Sequence, residues 1–313
     1  MTPAVCPSLY QVDAELLMKM LSEEIGRAAN LDDVPDSELD KLACSGFAWI
    51  WLTNVWQTGR EQRSSKALKT DKQSIKLAIS NYHILDQLGG DAALRRLRNR
   101  LRDRGLKLML DFVCNHSSKD HEWARKFPDY YIRGNETHLI REPRNYIRIK
   151  NDAGELILAH ARDPYSSGWD NTLQLNYGNP RLQEAMMSEL EKISRQCDGI
   201  HCEMPMLILP GIFEETWNIQ CDPFWPVAIN RVKKANPDFK FISEVYWEPE
   251  GALLQSQGFD YTYFKNNYLI VDVNSVNDDE TSVVKKSIII NDQNFNDLKS
   301  LPINFLLPRA SAS

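Results

Sequence analysis

The chain has 313 residues, of which 42% are apolar and 26% charged, and its net charge is −6. This length fits one large α/β domain or two ordinary domains. The negative charge argues against a nucleic-acid partner, and no apolar segment is long enough to span a bilayer. The first residues lack the basic start and apolar run of a signal peptide, so we expect a cytoplasmic protein with reduced cysteines.

Short β-rich runs alternate with helical patterns along the chain. Strands are predicted, in chain order, at SLYQV, FAWIWL, LKLMLDFV, GIHCEM and FKFISEV, with FDYTYF as a weaker sixth. A helix is predicted over residues 91–104, closed by Gly105, and another begins after Asn179 with Pro180 at its first position. Repeated alternation of this kind predicts an α/β fold with a parallel sheet, either open or closed into a barrel.

Two long interruptions follow the second and third predicted strands. Residues 57–90 are polar and irregular, and residues 117–178 are rich in Tyr, Pro, Arg and Asn. Insertions of this length in a compact domain usually carry function. Beyond about residue 265 the pattern weakens, and only SIIIN and INFLL resemble strands.

Ionisable and amide side chains gather at the carboxyl ends of three predicted strands. They are Asp111, Asn115, His116, His201, Glu203 and Glu244. His201 and Glu203 stand two residues apart on one strand, so both must point to the same face. Such a pair, taken singly, is more often a satisfied buried pair than a catalytic one. Sites in barrels and in open α/β sheets form beyond the carboxyl ends of strands, so the coincidence at three ends favours an active site.

These segments resemble signatures of the α-amylase family, glycoside hydrolase family 13. LMLDFVCNHSS is similar to its first signature, CDGIHCEM to its fourth-strand signature and FISEVYW to its fifth-strand signature, and their order and spacing hold from about residue 8 to 265. The resemblance implies a (β/α)8 TIM-type barrel with a small insertion domain at residues 117–178. Residues 1–116 would form the first part of the barrel. Residues 179–313 would form the rest, which is atypical after about residue 265, incomplete at its end and without the family's C-terminal β-domain.

The resemblance also implies a retaining mechanism on α-glucosidic bonds, with an α-glucan or α-glucoside as substrate. Glu203 would take the place of the nucleophile, and Glu244 that of the general acid/base. Roles in binding the sugar or bracing the site are implied for Tyr82, Asp111, Asn115, His116, His201 and Trp247. No redox cofactor or metal ligand is implied. Calcium is compatible with the family but is not indicated by the sequence.

Three departures from the family pattern bear on turnover. The family's nucleophile is an Asp where this chain has Glu203, and its supporting Arg is His201 here. The longer Glu203 leads us to expect a carboxyl separation from Glu244 at or below the ~5–5.5 Å of retaining enzymes. The Asn-His-Asp signature of the seventh strand is missing, since none of the six histidines lies after His201. Two functions stay open: a slow glycosidase, or an inactive amylase-like protein that binds carbohydrate or a protein partner.

Overall fold

The computed structural model describes residues 8–60, 77–151, 154–246, 248–264 and 287–289. The strands are β1 (Ser8–Asp13), β2 (Trp49–Thr53), β3 (Trp56–Thr58), β4 (Ile79–Ile84), β5 (Lys107–Val113), β6 (His116–Ser118), β7 (Tyr146–Asn151), β8 (Gly154–Ala159), β9 (Thr172–Gln174), β10 (Gly199–Glu203), β11 (Lys240–Val245), β12 (Tyr261–Phe264) and β13 (Ser287–Ile289). The α-helices are Ala14–Ile25, Asp36–Cys44, Gly90–Arg102, Glu122–Lys126, Glu136–Arg141, Pro180–Ser194, Pro210–Trp217, Trp225–Ala235 and Glu248–Ser256. None of these described helices is long and apolar enough to cross a membrane.

The main sheet has the order β12-β11-β10-β5-β2-β1-β13. Six of its strands, β1, β2, β5, β10, β11 and β12, are all parallel, and they lie side by side in the order in which they occur in the chain, as in a TIM-type barrel. All six predicted strands are confirmed. The SIIIN segment also forms a strand, β13, but it pairs with β1 antiparallel, whereas a closed barrel would place a parallel strand there. INFLL, the other weak strand prediction, lies outside the described residues.

The two faces of the sheet differ in what covers them. Side chains alternate between the two faces along each strand. One face packs against the helices, and Leu94, Leu97 and Leu101 of the helix Gly90–Arg102 are buried there. The side chains of the other, inner face form a smaller cluster, composed of Leu9, Trp49, Trp51, Met109 and Ile242. The polar residues at the carboxyl ends of the strands continue this inner face, because they share its alternation.

Gly199 is the residue that lets the inner cluster pack closely. A Cβ at this position would lie 2.9 Å from a backbone oxygen of β11 and 3.0 Å from the ring of Trp49. Both distances are shorter than or at the limit of ordinary contact, so the start of β10 must be a glycine for Trp49 to lie across it.

Two helix ends follow the sequence signals that predicted them. Asn179 accepts a hydrogen bond from the N–H of Arg181 at 3.0 Å, and Pro180 takes the first helical position. Gly105 has a φ of 74° and donates to the carbonyl of Arg102, while Leu106 donates to that of Leu101. These two bonds form a Schellman motif, which needs the left-handed conformation that glycine adopts without strain.

Within the described ranges, three two-stranded ribbons lie outside the main sheet, and all are antiparallel: β3 with β4, β6 with β9, and β7 with β8. The last two belong to the segment between β5 and the helix Pro180–Ser194. The division of the chain at residues 116 and 178 remains a prediction.

Candidate active site

The carboxyl ends of β5, β10 and β11 bring four of the predicted residues together. Asp111 and His201 are directly paired across β5 and β10. In the register of β10 and β11, Glu203 and Glu244 both come directly after the last paired residues, so they are level with each other. All four side chains are buried, since their residues are exposed by only 7%, 2%, 6% and 2% in chain order.

The two glutamates lie close enough to act on one atom. One oxygen of Glu203, one oxygen of Glu244 and a ring nitrogen of His201 all lie within 4.8 Å of one another. A retaining pair of carboxyls works at about 5–5.5 Å, and an inverting pair needs about 6.5–9.5 Å to admit a water. The chosen oxygens of the two carboxyls therefore approach to 4.8 Å or less, and the carboxyl separation expected from the longer Glu203 stays a prediction.

The carboxylate of Asp111 contacts two ring systems, those of Trp51 and His201. Its Oδ1 accepts a hydrogen bond from Nε1 of Trp51 at 2.8 Å and lies 3.2 Å from Nδ1 of His201. A carboxylate oxygen accepts, so the donor in the contact between Asp111 and His201 is Nδ1 of the imidazole. The indole of Trp51 also packs on the imidazole, with 4.1 Å between ring centroids. The orientation of His201 is thus fixed from two sides.

Two tryptophans of this site had no predicted role. Trp51 holds the Asp111 carboxylate, and Nε1 of Trp56 donates to the backbone oxygen of the same residue at 2.9 Å. Alternation along FAWIWL places Trp51 on the face shared with Trp49, and that signal identifies it as an inner-face residue. The hydrogen bond to Asp111, 60 residues away, has no signature in the sequence.

The chain turns sharply after Glu203. Met204 has a φ of 43° and a ψ of 49°, a left-handed conformation that costs a non-glycine residue about 1–2 kcal/mol. Pro205 follows and begins a short 3-10 helix, Pro205–Ile208, that is buried throughout. This strained residue turns the chain directly after Glu203.

Asn115 lies just beyond β5, and His116 is the first residue of β6 in the β6–β9 ribbon. Gln174 of β9 donates to Oδ1 of Asn115 at 2.9 Å, and Asn115 Nδ2 lies 3.3 Å from the Gln174 side-chain oxygen. Burial lowers the pKa of His116 to about 4, although a hydrogen bond to the backbone of Leu77 opposes the shift. His116 is therefore neutral at pH 7, edge-on to Trp169. The contact of Asn115 with Gln174 and that of His116 with Trp169 hold these side chains in place. Binding of a sugar by Asn115 or His116 remains a prediction.

Tyr82 is not brought to the cluster of carboxylates. Its hydroxyl donates to the carbonyl of Val113 at 2.7 Å, and its ring stacks on Phe112 with 5.7 Å between centroids. Phe112 belongs to the helix-facing core, so Tyr82 lies on that side of the sheet, where it also lines a cavity of about 540 Å³. The stacking role of Tyr82 stays a prediction. Trp247, the remaining predicted residue, lies outside the described residues.

Comparison with known proteins extends these observations. A family model of the α-amylase catalytic domain matches residues 34–200, just over half of the chain. The amino acid transporter heavy chain SLC3A1 of Rattus norvegicus is 23% identical over 185 residues, which cover 55% of this chain and 25% of that protein. The oligo-1,6-glucosidase of Bacillus cereus is 30% identical over 133 residues, which cover 40% of this chain and 21% of that enzyme. The chain thus spans a quarter or less of the length of these relatives.

The solved structure of the maltogenic α-amylase AmyB from Thermotoga neapolitana is similar in fold. It superposes with a TM-score of 0.55 at 19% identity and covers 82% of this chain and 49% of that one. The likeness confirms a TIM-type architecture, of which the described residues contain six parallel strands.

Proposed function

The chain belongs to the α-amylase family of glycoside hydrolases, and from this premise we propose that it cleaves or transfers α-glucosidic bonds by a retaining double displacement. The observation that carries the proposal is the pair Glu203 and Glu244, buried at the ends of adjacent parallel strands with oxygens within 4.8 Å. An α-glucoside or α-glucan is the substrate that fits the family. The name of the Bacillus cereus relative, an oligo-1,6-glucosidase, supports this class.

The reaction needs one carboxylate and one carboxylic acid. Like charges at so short a distance favour a state in which one of the two glutamates carries a proton. Glu203 as the anion attacks the anomeric carbon, while Glu244 gives its proton to the oxygen of the departing sugar. Glu244 then accepts a proton from the water or acceptor sugar that releases the glycosyl group from Glu203.

His201 and Glu203, which stand where the family has Arg and Asp, are a reason to expect slow turnover. The family's Arg offers a charged fork that stabilises a neighbouring carboxylate, whereas His201 donates its Nδ1 proton towards Asp111. Glu203 is one methylene longer than the family's Asp, and an error of about 1 Å in placing a reacting group can cost roughly a hundredfold in rate.

The cytoplasmic location and the lack of a cofactor also remain proposals.

The test is hydrolysis of a chromogenic α-glucoside and of maltooligosaccharides by the full chain, with the anomer of the product followed by NMR. Glu244→Gln should lower the rate by about 10²- to 10⁴-fold, and Glu203→Gln should lower it at least as much. The exposed Glu215→Gln serves as the matched control and should leave the rate unchanged. A product of inverted configuration, or equal rates in all four proteins, would rule the mechanism out.

The second candidate is an amylase-like protein that binds a sugar or a protein partner without turnover. The three departures from the catalytic pattern favour it, and so does a relative whose name is that of a transporter heavy chain. Calorimetry with maltose, run on the same samples, separates the two: binding without any product supports the second candidate.

A further inference from the structure

We infer that His201, Glu203 and Glu244 form a site for a divalent transition-metal ion, with Zn²⁺ as the best fit. The three residues each offer one ligand atom, and these atoms lie within 4.8 Å of one another on the buried inner face of the sheet. Two of the three are the residues in which this chain departs from the family pattern. The inference goes beyond the proposed glycosidase activity and does not depend on it.

The geometry is close to that of a metal centre. Tetrahedral ligands at about 2.0–2.2 Å from a zinc ion are about 3.4 Å from one another. The ligand atoms here would have to approach by no more than about 1.4 Å, which rotation of the two glutamate side chains can supply. Three protein ligands leave a fourth position for water or another small ligand, as in catalytic rather than structural zinc sites.

Asp111 supplies the support that histidine ligands usually have. Metal-binding imidazoles commonly donate their second N–H to a carboxylate, which fixes the tautomer and the direction of the ring. Nδ1 of His201 lies 3.2 Å from Asp111 Oδ1, and that carboxylate is itself held by Trp51. Nε2 is then the nitrogen that can bind an ion.

The ligand set selects among ions. Calcium and magnesium prefer oxygen ligands alone, in numbers of six or more, whereas one imidazole and two carboxylates suit zinc and its neighbours in the first transition series. A bound dication would also neutralise two carboxylates that otherwise repel each other at short range. Because it would occupy both glutamates, metal binding and glycoside cleavage exclude each other.

The experiment is titration of the metal-stripped full chain with Zn²⁺ by calorimetry, followed by Co²⁺ as a spectroscopic probe of coordination. We expect one ion per chain, with little or no binding of Ca²⁺ or Mg²⁺. His201→Arg, which restores the family's residue and should therefore fold, and Glu203→Gln should each weaken binding at least a hundredfold. Asp111→Asn should weaken it about 10- to 100-fold and change the Co²⁺ spectrum, as expected of a positioning residue.

Two controls guard against binding elsewhere. The exposed His83→Gln and Cys44→Ser should leave the affinity unchanged. Equal affinity in His201→Arg and Glu203→Gln, loss of binding in Cys44→Ser alone, or equal affinity for Zn²⁺ and Ca²⁺ would each overturn the inference. If the metal-stripped chain shows no glycosidase activity but binds Zn²⁺ in the titration, the result counts against the proposed function only. An active chain that binds no metal would count against this inference only.

Discussion

Acid should weaken the segment that follows β6, because His121 is buried there in its neutral form. Its residue is only 8% exposed, and its Nδ1 accepts the backbone N–H of Trp123 at 3.1 Å, which requires the lone pair of an unprotonated ring. Burial lowers the pKa of His121 from 6.5 to about 4, against the opposing attraction of Glu122 and Asp120. The folded chain therefore takes up this proton at a lower pH than the unfolded chain.

The sign and size of the effect follow from this difference. Stability contributed by neutral His121 is fully present above pH 6.5 and is lost as the pH falls towards 4, because the unfolded chain binds the proton throughout that window. At about 1.4 kcal/mol for each pH unit, the loss on going from pH 7.5 to pH 4.5 is roughly 2–3 kcal/mol.

Urea unfolding of the full chain at these two pH values measures the loss. His121→Asn keeps an acceptor for the N–H of Trp123 but removes the titrating group, so its free energy of unfolding should fall less on acidification, by roughly 2–3 kcal/mol. The exposed His83→Gln is the control and should behave as the parent chain does. An equal fall in the His121→Asn variant and the parent would refute the reasoning.

Two further predictions concern the inner face. The double change His201→Arg with Glu203→Asp should raise hydrolysis of a chromogenic α-glucoside above that of the parent chain; no increase in a folded protein that binds maltose would show that these two residues are not what limits turnover. Gly199→Ala should lower the free energy of unfolding by about 1–3 kcal/mol, because its Cβ would meet Trp49 and the backbone of β11. Gly211→Ala, where a Cβ has no neighbour within 4 Å, is the control, and equal stabilities of the two variants would contradict the packing argument.

The parallel strands and two of the helix ends were predictable from sequence because their signals are local. Each strand is an apolar run of a few residues, and Asn179 and Gly105 act on backbone groups within a few positions of themselves. The hairpin of β7 and β8 was missed, although its signal is also local. From Ile147 to Lys150, YIRIKN alternates apolar and polar residues, and GELILA follows it after only two residues.

The contacts within the site were less accessible to sequence reasoning. The positions of the motifs indicated which strand ends carry the reactive residues. The partner of each side chain, however, depends on strand order and register. His201 is joined to Asp111 because β10 lies beside β5 with those two residues paired. Tyr82 illustrates the opposite case, since its position in the polar, irregular sequence of residues 57–90 gave no indication that it would lie on the helix-facing side of the sheet.

The register of β10 and β11 sets the positions of the site residues independently of which side chains they carry. Backbone hydrogen bonds between the strands fix where the Cα atoms of Glu203 and Glu244 stand, whichever side chains they bear. An exchange of Asp for Glu, or of Arg for His at position 201, alters the reactive groups without removing a bond of the ladder. A library of acids, amides and imidazoles at residues 201, 203 and 244 would therefore present different reactive groups on one unchanged ladder of strands, which makes this site a practical starting point for enzyme design.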